Sequence, residues 1–125
     1  MTRNSFRFLI PLVCVRDTSS DPINWNIRNA LWGHCAVVAL LAQDYFGGDL
    51  LRASLEEFPE FAHLRSHYWN RFLDGSEEDF TKAQFGDNYP QLLNPEVRDR
   101  AYLLSSPETL RRYQALKIRL EDMLK

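Results

Sequence analysis

The longest apolar stretch of the chain is the segment Cys35–Phe46. Nearly every position in it is apolar, with Gln43 and Asp44 as the exceptions, and the pair Gly47–Gly48 follows directly. A helix that is apolar on all sides is typically buried, and glycine is common just after a helix ends. The pattern therefore predicts a buried central helix over Cys35–Phe46.

Two further segments predict β-structure. Residues 49–54 are typical of the start of a strand. Residues 66–81, with the sequence SHYWNRFLDGSEEDFT, carry aromatic flanks around Asp74–Gly75, which is a strong hairpin signal. His67 then falls on the first strand of the hairpin and Asp79 on the second.

The C-terminal third predicts a long helix. Ser106, Pro107 and Glu108 supply a capping hydroxyl, a first-turn proline and an early acidic side chain. Apolar residues then recur at spacings of three and four, so one face is expected to pack on the domain: Leu110, Tyr113, Leu116, Leu120 and Leu124.

The remaining segments give weaker signals. Phe6–Val15 has the β-branched content of a strand but contains Pro11, so its secondary structure stays open. Residues 16–33 are expected to be irregular, and residues 55–65 form a charged connection. Together the elements predict one α+β domain over residues 1–125, in which a buried central helix packs on a short antiparallel sheet beside a long C-terminal helix.

Composition and charge narrow the function classes. The 125 residues are 45% hydrophobic, and a net charge of -2 gives no electrostatic reason to expect a nucleic-acid partner. The apolar run FLIPLVCV near the amino terminus is short, contains Pro11 and lacks a signal-peptide cleavage site. We therefore expect a cytoplasmic protein without a membrane segment, in which Cys14 and Cys35 are reduced thiols.

Cys35 is the first candidate for chemistry because it opens the predicted helix. The thiolate is the nucleophilic form of cysteine, and the free N–H groups and dipole of a helix amino terminus favour negative charge. The same N–H groups are suited to stabilise an oxyanion on an attacked carbonyl. The competing interpretation is that Cys35 is a small buried core residue among alanine and valine.

A nucleophilic cysteine needs a base, and the base needs an orienting group. His34 is adjacent to Cys35, so its side chain is expected to diverge around the first turn, and His63 lies in the charged connection. His67 is the better candidate because its strand is expected to pack against the start of the helix. The competing interpretation is a structural histidine between aromatic side chains.

Asp79 is the candidate for orienting His67 across the hairpin. A symmetric two-residue turn would place His67 opposite Lys82, whose charge is wrong for that role. A shifted register, a wider loop or a bulge near Ser76 is therefore required to bring Asp79 beside His67.

Three segments resemble, in order, the YunG-like family of small uncharacterised bacterial proteins: GHCAVVALLAQDYFGGDLL, SHYWNRFLDGSEEDFTKAQF and RAYLLSSPETLRRYQALKIRL. The resemblance runs from about Trp25 to the carboxyl terminus. The matching family positions fall on Cys35, on His67–Asn70 and on Asp79–Thr81.

The order of cysteine, histidine and acid is similar to that of papain-like and transglutaminase-like cysteine enzymes, and this likeness implies a core of that type. It implies that Cys35 attacks an acyl or amide carbonyl of a small-molecule or peptide substrate, that His67 relays the proton and that Asp79 fixes the imidazole, with no cofactor. Contacts to the oxyanion or the substrate are expected from three residues: His34, Trp69 and Asn70. His34 stands where the family pattern has glutamine, so a ring N–H would have to replace that donor.

Two other functions compete with this hypothesis. A non-catalytic interaction domain would use the aromatic side chains as a recognition surface or simply as a core: Trp25, Trp32, Tyr68 and Trp69. A metal-binding protein would draw its ligands from five residues: His34, Cys35, His63, His67 and Asp79. The spacing of His63 and His67 suits a metal only on a helix, whereas the aromatic run SHYWN favours a strand, so no metal is expected.

Overall fold

The computed structural model of the protein describes residues 1–92 and 94–125 and shows an α+β fold. Its helices are α1 (Arg3–Val13), α2 (Cys35–Phe46), α3 (Arg100–Leu104) and α4 (Pro107–Met123). Its strands are β1 (Asp49–Ser54), β2 (Ser66–Arg71), β3 (Glu77–Glu78) and β4 (Glu96–Arg98). Short 3-10 turns lie at Arg16–Thr18, Ile27–Asn29, Ala62–Leu64 and Lys82–Phe85.

The four strands form one antiparallel sheet in the order β3-β2-β1-β4. β1 and β2 pair along their whole length, from Asp49 opposite Arg71 to Ser54 opposite Ser66. Because side chains alternate across a strand, Leu50 points to the face that packs on α2 and Leu51 points to the other face. The short sheet and the predicted strand at residues 49–54 are confirmed.

The β2–β3 hairpin uses a wider loop than a two-residue turn. Asn70 pairs with Glu78, and the N–H of Phe72 donates to the carbonyl of Ser76 over 2.8 Å. Gly75 has a φ of 86°, the left-handed conformation that three-residue hairpin loops require. The predicted hairpin is confirmed, and the wider loop supplies the change of register that the sequence demanded.

α2 is the buried centre of the domain. Its middle residues are all buried: Val37, Val38, Ala39, Leu40, Leu41 and Ala42. One side of α2 packs on β1 and β2, and another packs on α4. The predicted buried central helix is confirmed, and its last turn ends at Gly47, whose φ of 72° favours glycine.

The amino-terminal run, which the sequence left open, is helical. Thr2 caps α1 by accepting from the N–H of Ser5, and Phe6, Ile10 and Val13 are the buried residues of this helix. Their spacing of four and three places them on one face. Burial of that face explains why a helix forms here although it contains Pro11.

The long C-terminal helix is confirmed as α4. Ser106 caps it by accepting from the N–H of Thr109, and Tyr113, Leu116 and Leu120 are buried. Leu124 was predicted to lie on the packed face of this helix, and that prediction is wrong. The helix ends at Met123, and Leu124 is 49% exposed. β4 and α3 were not predicted.

In the described part of the chain, no helix is long and apolar enough to cross a membrane. Both cysteines are free. Cys14 is buried, and burial raises the pKa of its thiol. Cys14 is therefore a core residue, while Cys35 is partly exposed.

Candidate functional site

Cys35 occupies the first position of α2, with its side chain partly exposed. His34 is the N-cap residue but makes no side-chain capping bond, so the N–H groups of the first turn are not satisfied by a cap. The Cys35 sulfur lies 3.7 Å from the carbonyl oxygen of Ser66, the residue that opens β2. The start of α2 and the start of β2 therefore meet at Cys35.

His67 is the second residue of β2 and is completely buried. Its Nε2 lies 2.6 Å from Oδ2 of Asp79, whose side chain is only 9% exposed. The ring of Trp69 stacks on the imidazole at 5.8 Å, and the edge of Phe85 meets it at 4.8 Å. The aromatic walls and the carboxylate fix the orientation of His67.

The other ring nitrogen of His67 is free. Nδ1 is buried and has no hydrogen-bond partner among residues 1–92 and 94–125. Burial alone would lower the pKa of His67, but the hydrogen bond to Asp79, together with the charges of Asp79 and Cys35, raises it to about 9. The Cys35 thiol is aligned with the carbonyl of Ser66, the residue before His67 on β2, rather than with the imidazole. Such hydrogen bonds are often long or misaligned before substrate binds.

Asp79 is held by more than His67. The N–H and the hydroxyl of Thr81 donate to Oδ1 over 3.1 and 3.3 Å, and the hydroxyl of Tyr89 donates to Oδ2 over 2.8 Å. Asp79 lies just beyond β3, which ends at Glu78, so its predicted place on the second strand is corrected by one residue. These hydrogen bonds fix the position of the carboxylate that binds His67.

His34 does not offer a free donor. Nδ1 lies 3.0 Å from the carbonyl of Trp32, and Nε2 lies 2.8 Å from the hydroxyl of Thr18. Burial lowers the pKa of His34 to about 4, so the ring is neutral, with its N–H on Nδ1 and Nε2 accepting from Thr18. In this arrangement both ring nitrogens are engaged away from an incoming carbonyl, and the expected oxyanion contact from His34 would need the ring to move.

Asn70 and Trp69, the other two residues expected to contact the oxyanion or the substrate, make hydrogen bonds within the fold. Asn70 is buried on the α2 side of the sheet, and its Nδ2 donates to the carbonyl of Ala39 over 3.0 Å. Trp69 donates from Nε1 to Glu77 over 2.8 Å while its ring covers His67. Trp69 thus reaches the site through its ring face, and Asn70 joins α2 to β2.

Sequence reasoning missed the side chains that surround the acid and the nucleophile. Thr81, Gln84 and Tyr89 lie near Asp79, and Arg112 of α4 is a nearly buried guanidinium near Cys35. These residues are remote from Cys35 in sequence, and although Thr81 falls on a position of the family pattern, no motif gave a role to any of them. Arg112 is not one of the apolar positions of α4, so no sequence signal marks it as buried.

The geometry does not favour a metal site. In the described ranges, no group of three or more His, Cys, Asp and Glu side chains is arranged to hold a metal ion. His63 pairs with Asp21 at 2.9 Å, whereas His67 pairs with Asp79. A 3-10 turn ends at Leu64 before β2 begins, so the two histidines do not share a helix.

Comparison with known proteins places the chain in a family. The sequence model of the YunG protein family matches residues 10–125, and the chain belongs to this family. A curated relative from Bacillus subtilis (strain 168), named "Uncharacterized protein YunG", is 32% identical over 93 residues, which are 74% of this chain and 71% of the relative. No solved structure matches the chain. The YunG resemblance is confirmed, while the papain-like core stays a prediction.

Proposed function

We propose that this YunG-family protein is a cysteine-dependent hydrolase or acyltransferase that acts on an amide or acyl bond. In this proposal Cys35 is the nucleophile, His67 transfers protons and Asp79 orients the imidazole. One observation carries the proposal: Asp79 binds Nε2 of a buried His67, while Nδ1 is unpartnered within the described residues and the Cys35 sulfur lies 3.7 Å from the carbonyl oxygen of Ser66, the residue before His67. A purely structural histidine in a core would have both ring nitrogens satisfied, as His34 does.

The first half of the reaction forms an acyl-enzyme. In the reactive form the proton lies on Nδ1 of His67 and Cys35 is a thiolate. The sulfur attacks the carbonyl carbon of the substrate, and the carbonyl electron pair moves to oxygen. When the tetrahedral intermediate collapses, the bond to the leaving group breaks, His67 gives its proton to that group, and a thioester remains on Cys35.

The second half releases the acyl group. Neutral His67 accepts a proton at Nδ1 from water, or from an acceptor alcohol or amine, as that molecule attacks the thioester. Collapse of the second tetrahedral intermediate breaks the carbon–sulfur bond and restores the thiolate beside the protonated imidazole. Asp79 stabilises the imidazolium in both halves because its carboxylate stays on Nε2.

In this proposal the first turn of α2 stabilises the oxyanion. The N–H groups of the first turn carry the positive end of the helix dipole, and His34 does not cap them with its side chain. Arg112 is a nearly buried guanidinium whose charge acts electrostatically on Cys35, and it has no carboxylate partner among the ion pairs of the described chain. This arrangement supports a developing negative charge without an N–H from the His34 ring.

A papain-like arrangement is part of the proposal. The nucleophile begins a helix, the histidine follows on a strand that meets the start of that helix, and the acid comes last along the chain. These features support an acyl-transfer chemistry by analogy with such enzymes. A small-molecule or peptide substrate fits the partly exposed position of Cys35.

The second candidate function is binding without catalysis. A groove of about 560 Å³ is lined by Leu12, Trp25 and Ile27 among others, and it contains none of the three proposed triad residues. Ile27 is 83% exposed, and Ile23 nearby in sequence is 88% exposed. Exposed apolar side chains beside a groove are typical of interaction surfaces.

Acylation of the protein by p-nitrophenyl acetate separates the two functions. The proposed enzyme releases a stoichiometric burst of p-nitrophenol, and mass spectrometry of the peptides finds the acetyl group on Cys35. Cys35→Ser removes both signals, whereas Cys14→Ala keeps them because Cys14 is a core residue. Unmodified Cys35 in folded wild-type protein would favour the binding function.

A further inference from the structure

Gln84 lies between the loop before α2 and the carboxylate of the site. The residue belongs to the 3-10 turn Lys82–Phe85, and its side chain is 3% exposed. Its Oε1 accepts from the backbone N–H of Gly33 over 3.1 Å, and its Nε2 donates to the hydroxyl of Thr81 over 2.9 Å. The two ends of this buried side-chain amide therefore bind two different segments of the chain.

The Thr81 hydroxyl continues the chain of hydrogen bonds to the acid. It donates to Oδ1 of Asp79 over 3.3 Å, while the N–H of Thr81 reaches the same oxygen over 3.1 Å. The other carboxylate oxygen holds His67. A continuous path thus runs from the N–H of Gly33, through Gln84 and Thr81, to Asp79.

The loop end of this path is rigid. Gly33 has a φ of 75°, and a Cβ at this position would lie 2.3 Å from Oγ of Ser19. Its carbonyl accepts from the N–H of Ser20 over 2.9 Å. The side chain of Asn29 also donates to the backbone carbonyl of Gln84 over 3.0 Å. The backbone two residues before Cys35 is therefore tied directly to Gln84.

We infer that Gln84 is a positioning residue that couples the backbone before Cys35 to the carboxylate of Asp79, so that nucleophile and acid keep a fixed separation. The inference rests on the proposed function and deepens it. Gln84 and Thr81 are both buried, so neither is exposed to a substrate. Gln84 acts through Asp79 and His67, and the donor Nε2–H is the group that transmits its effect.

The test replaces Gln84 and follows His67 by NMR. Gln84→Leu removes the donor to Thr81, which leaves the Thr81 hydroxyl free to rotate away from Asp79 and weakens the hold of Asp79 on the imidazole. We expect the titration midpoint of His67 to fall by about 0.5 pH units. We also expect iodoacetamide to alkylate Cys35 about fivefold more slowly. Gln84→Met keeps the length of the side chain but loses the donor, and it is expected to behave like Gln84→Leu.

Gln43→Leu is the matched control. Gln43 lies on α2 at the opposite end from Cys35 and also makes two hydrogen bonds, to the carbonyl of Gly48 and from Arg100. Gln43→Leu is expected to leave both the His67 titration midpoint and the alkylation rate of Cys35 unchanged. If Gln84→Leu does not fold, Thr81→Val removes the hydroxyl that donates to Asp79. Thr81→Ser keeps a hydroxyl at this position and is its control.

The outcomes are distinct. A His67 midpoint that stays at the wild-type value in the folded Gln84 and Thr81→Val variants overturns the inference, whatever the reactivity of Cys35. An unreactive Cys35 in the wild-type protein argues against the proposed function, and the His67 titration still decides whether Gln84 positions Asp79. A lower midpoint with slower alkylation, absent in Gln43→Leu, supports both.

Discussion

His67 and Asp79 meet across 2.6 Å although they are not opposite each other in the sheet. The pairing of Asn70 with Glu78, continued by one residue, would place Asp79 opposite Trp69. Asp79 is then the diagonal neighbour of His67 on the same face, a distance that long side chains span. The three-residue hairpin loop produces this register, so the local turn geometry positions the acid of the candidate site.

Replacing Asp79 with asparagine is expected to lower the pKa of His67 and to slow alkylation of Cys35 by about tenfold, because one pKa unit corresponds to about tenfold in an equilibrium. Breaking this buried pair should also lower the free energy of unfolding by about 3 kcal/mol. The measurements are NMR titration, iodoacetamide kinetics and urea denaturation. Asp21→Asn is the control, since it removes the carboxylate partner of the half-exposed His63. If Asp79→Asn and Asp21→Asn have the same effect on the pKa of His67 and on the alkylation of Cys35, Asp79 does not orient His67.

Two buried histidines should give the protein a stability maximum near pH 6.5. The pKa of His67 is raised from 6.5 to about 9 by Asp79 and Cys35 against the effect of burial, so its contribution is complete below pH 6.5 and is lost as the pH rises through 9. Burial lowers the pKa of His34 to about 4, so its contribution is present above pH 6.5 and is lost as the pH falls toward 4.

Urea denaturation across this pH range, with NMR titration of each ring, checks the prediction. A His67 midpoint near 6.5 would contradict the assigned contacts. His67→Gln should flatten the alkaline side of the stability profile and leave the acid side as it is.

Tyr89→Phe should raise the pKa of His67 by about half a unit. The Tyr89 hydroxyl and Nε2 of His67 bind the same oxygen of Asp79, so loss of the hydroxyl leaves that oxygen to the imidazole alone and strengthens its interaction with the protonated ring. Tyr102→Phe, at an exposed tyrosine of α3, is the control. The measurement is NMR titration of His67. A lower His67 midpoint in Tyr89→Phe than in the wild type would mean that Tyr89 instead holds Asp79 in place.

Asn70→Ala tests whether Asn70 contacts the substrate or only the framework. Its bond to the carbonyl of Ala39 predicts a loss of about 1 kcal/mol in the free energy of unfolding, with alkylation of Cys35 unchanged. A strong fall in burst amplitude with p-nitrophenyl acetate, without a loss of stability, would restore the expected contact to the oxyanion or the substrate.

The periodic elements of the fold were predictable from sequence. α2 and α4 carry clear hydrophobic patterns with glycine or serine at their ends, and the hairpin carries Asp74–Gly75 between aromatic strands. α1 was ambiguous because β-branched residues and Pro11 oppose a helix locally, and burial against the core decides the outcome. β4 has only three residues and forms because β1 offers an edge, which no local pattern reveals.

The site was predictable only in its chemistry-bearing residues. Cys35, His67 and Asp79 stand out by residue type and element, and the structure brings His67 and Asp79 into contact. The supports from Thr81, Gln84 and Tyr89 depend on how residues 79–92 fold back over β2, which has no periodic signal. The engagement of His34 by Thr18 and Trp32 likewise arises from an irregular segment.

The reactivity of Cys35 toward iodoacetamide shows whether Cys35 is an activated nucleophile. The rate is measured at pH 7 by mass spectrometry of the Cys35 peptide, with buried Cys14 as the internal reference and glutathione as the free thiol. We expect that Cys35 reacts faster than glutathione, that Cys14 does not react in the folded protein, and that His67→Ala slows Cys35 by about tenfold or more. A Cys35 that reacts no faster than glutathione, and at the same rate in His67→Ala, would contradict this expectation.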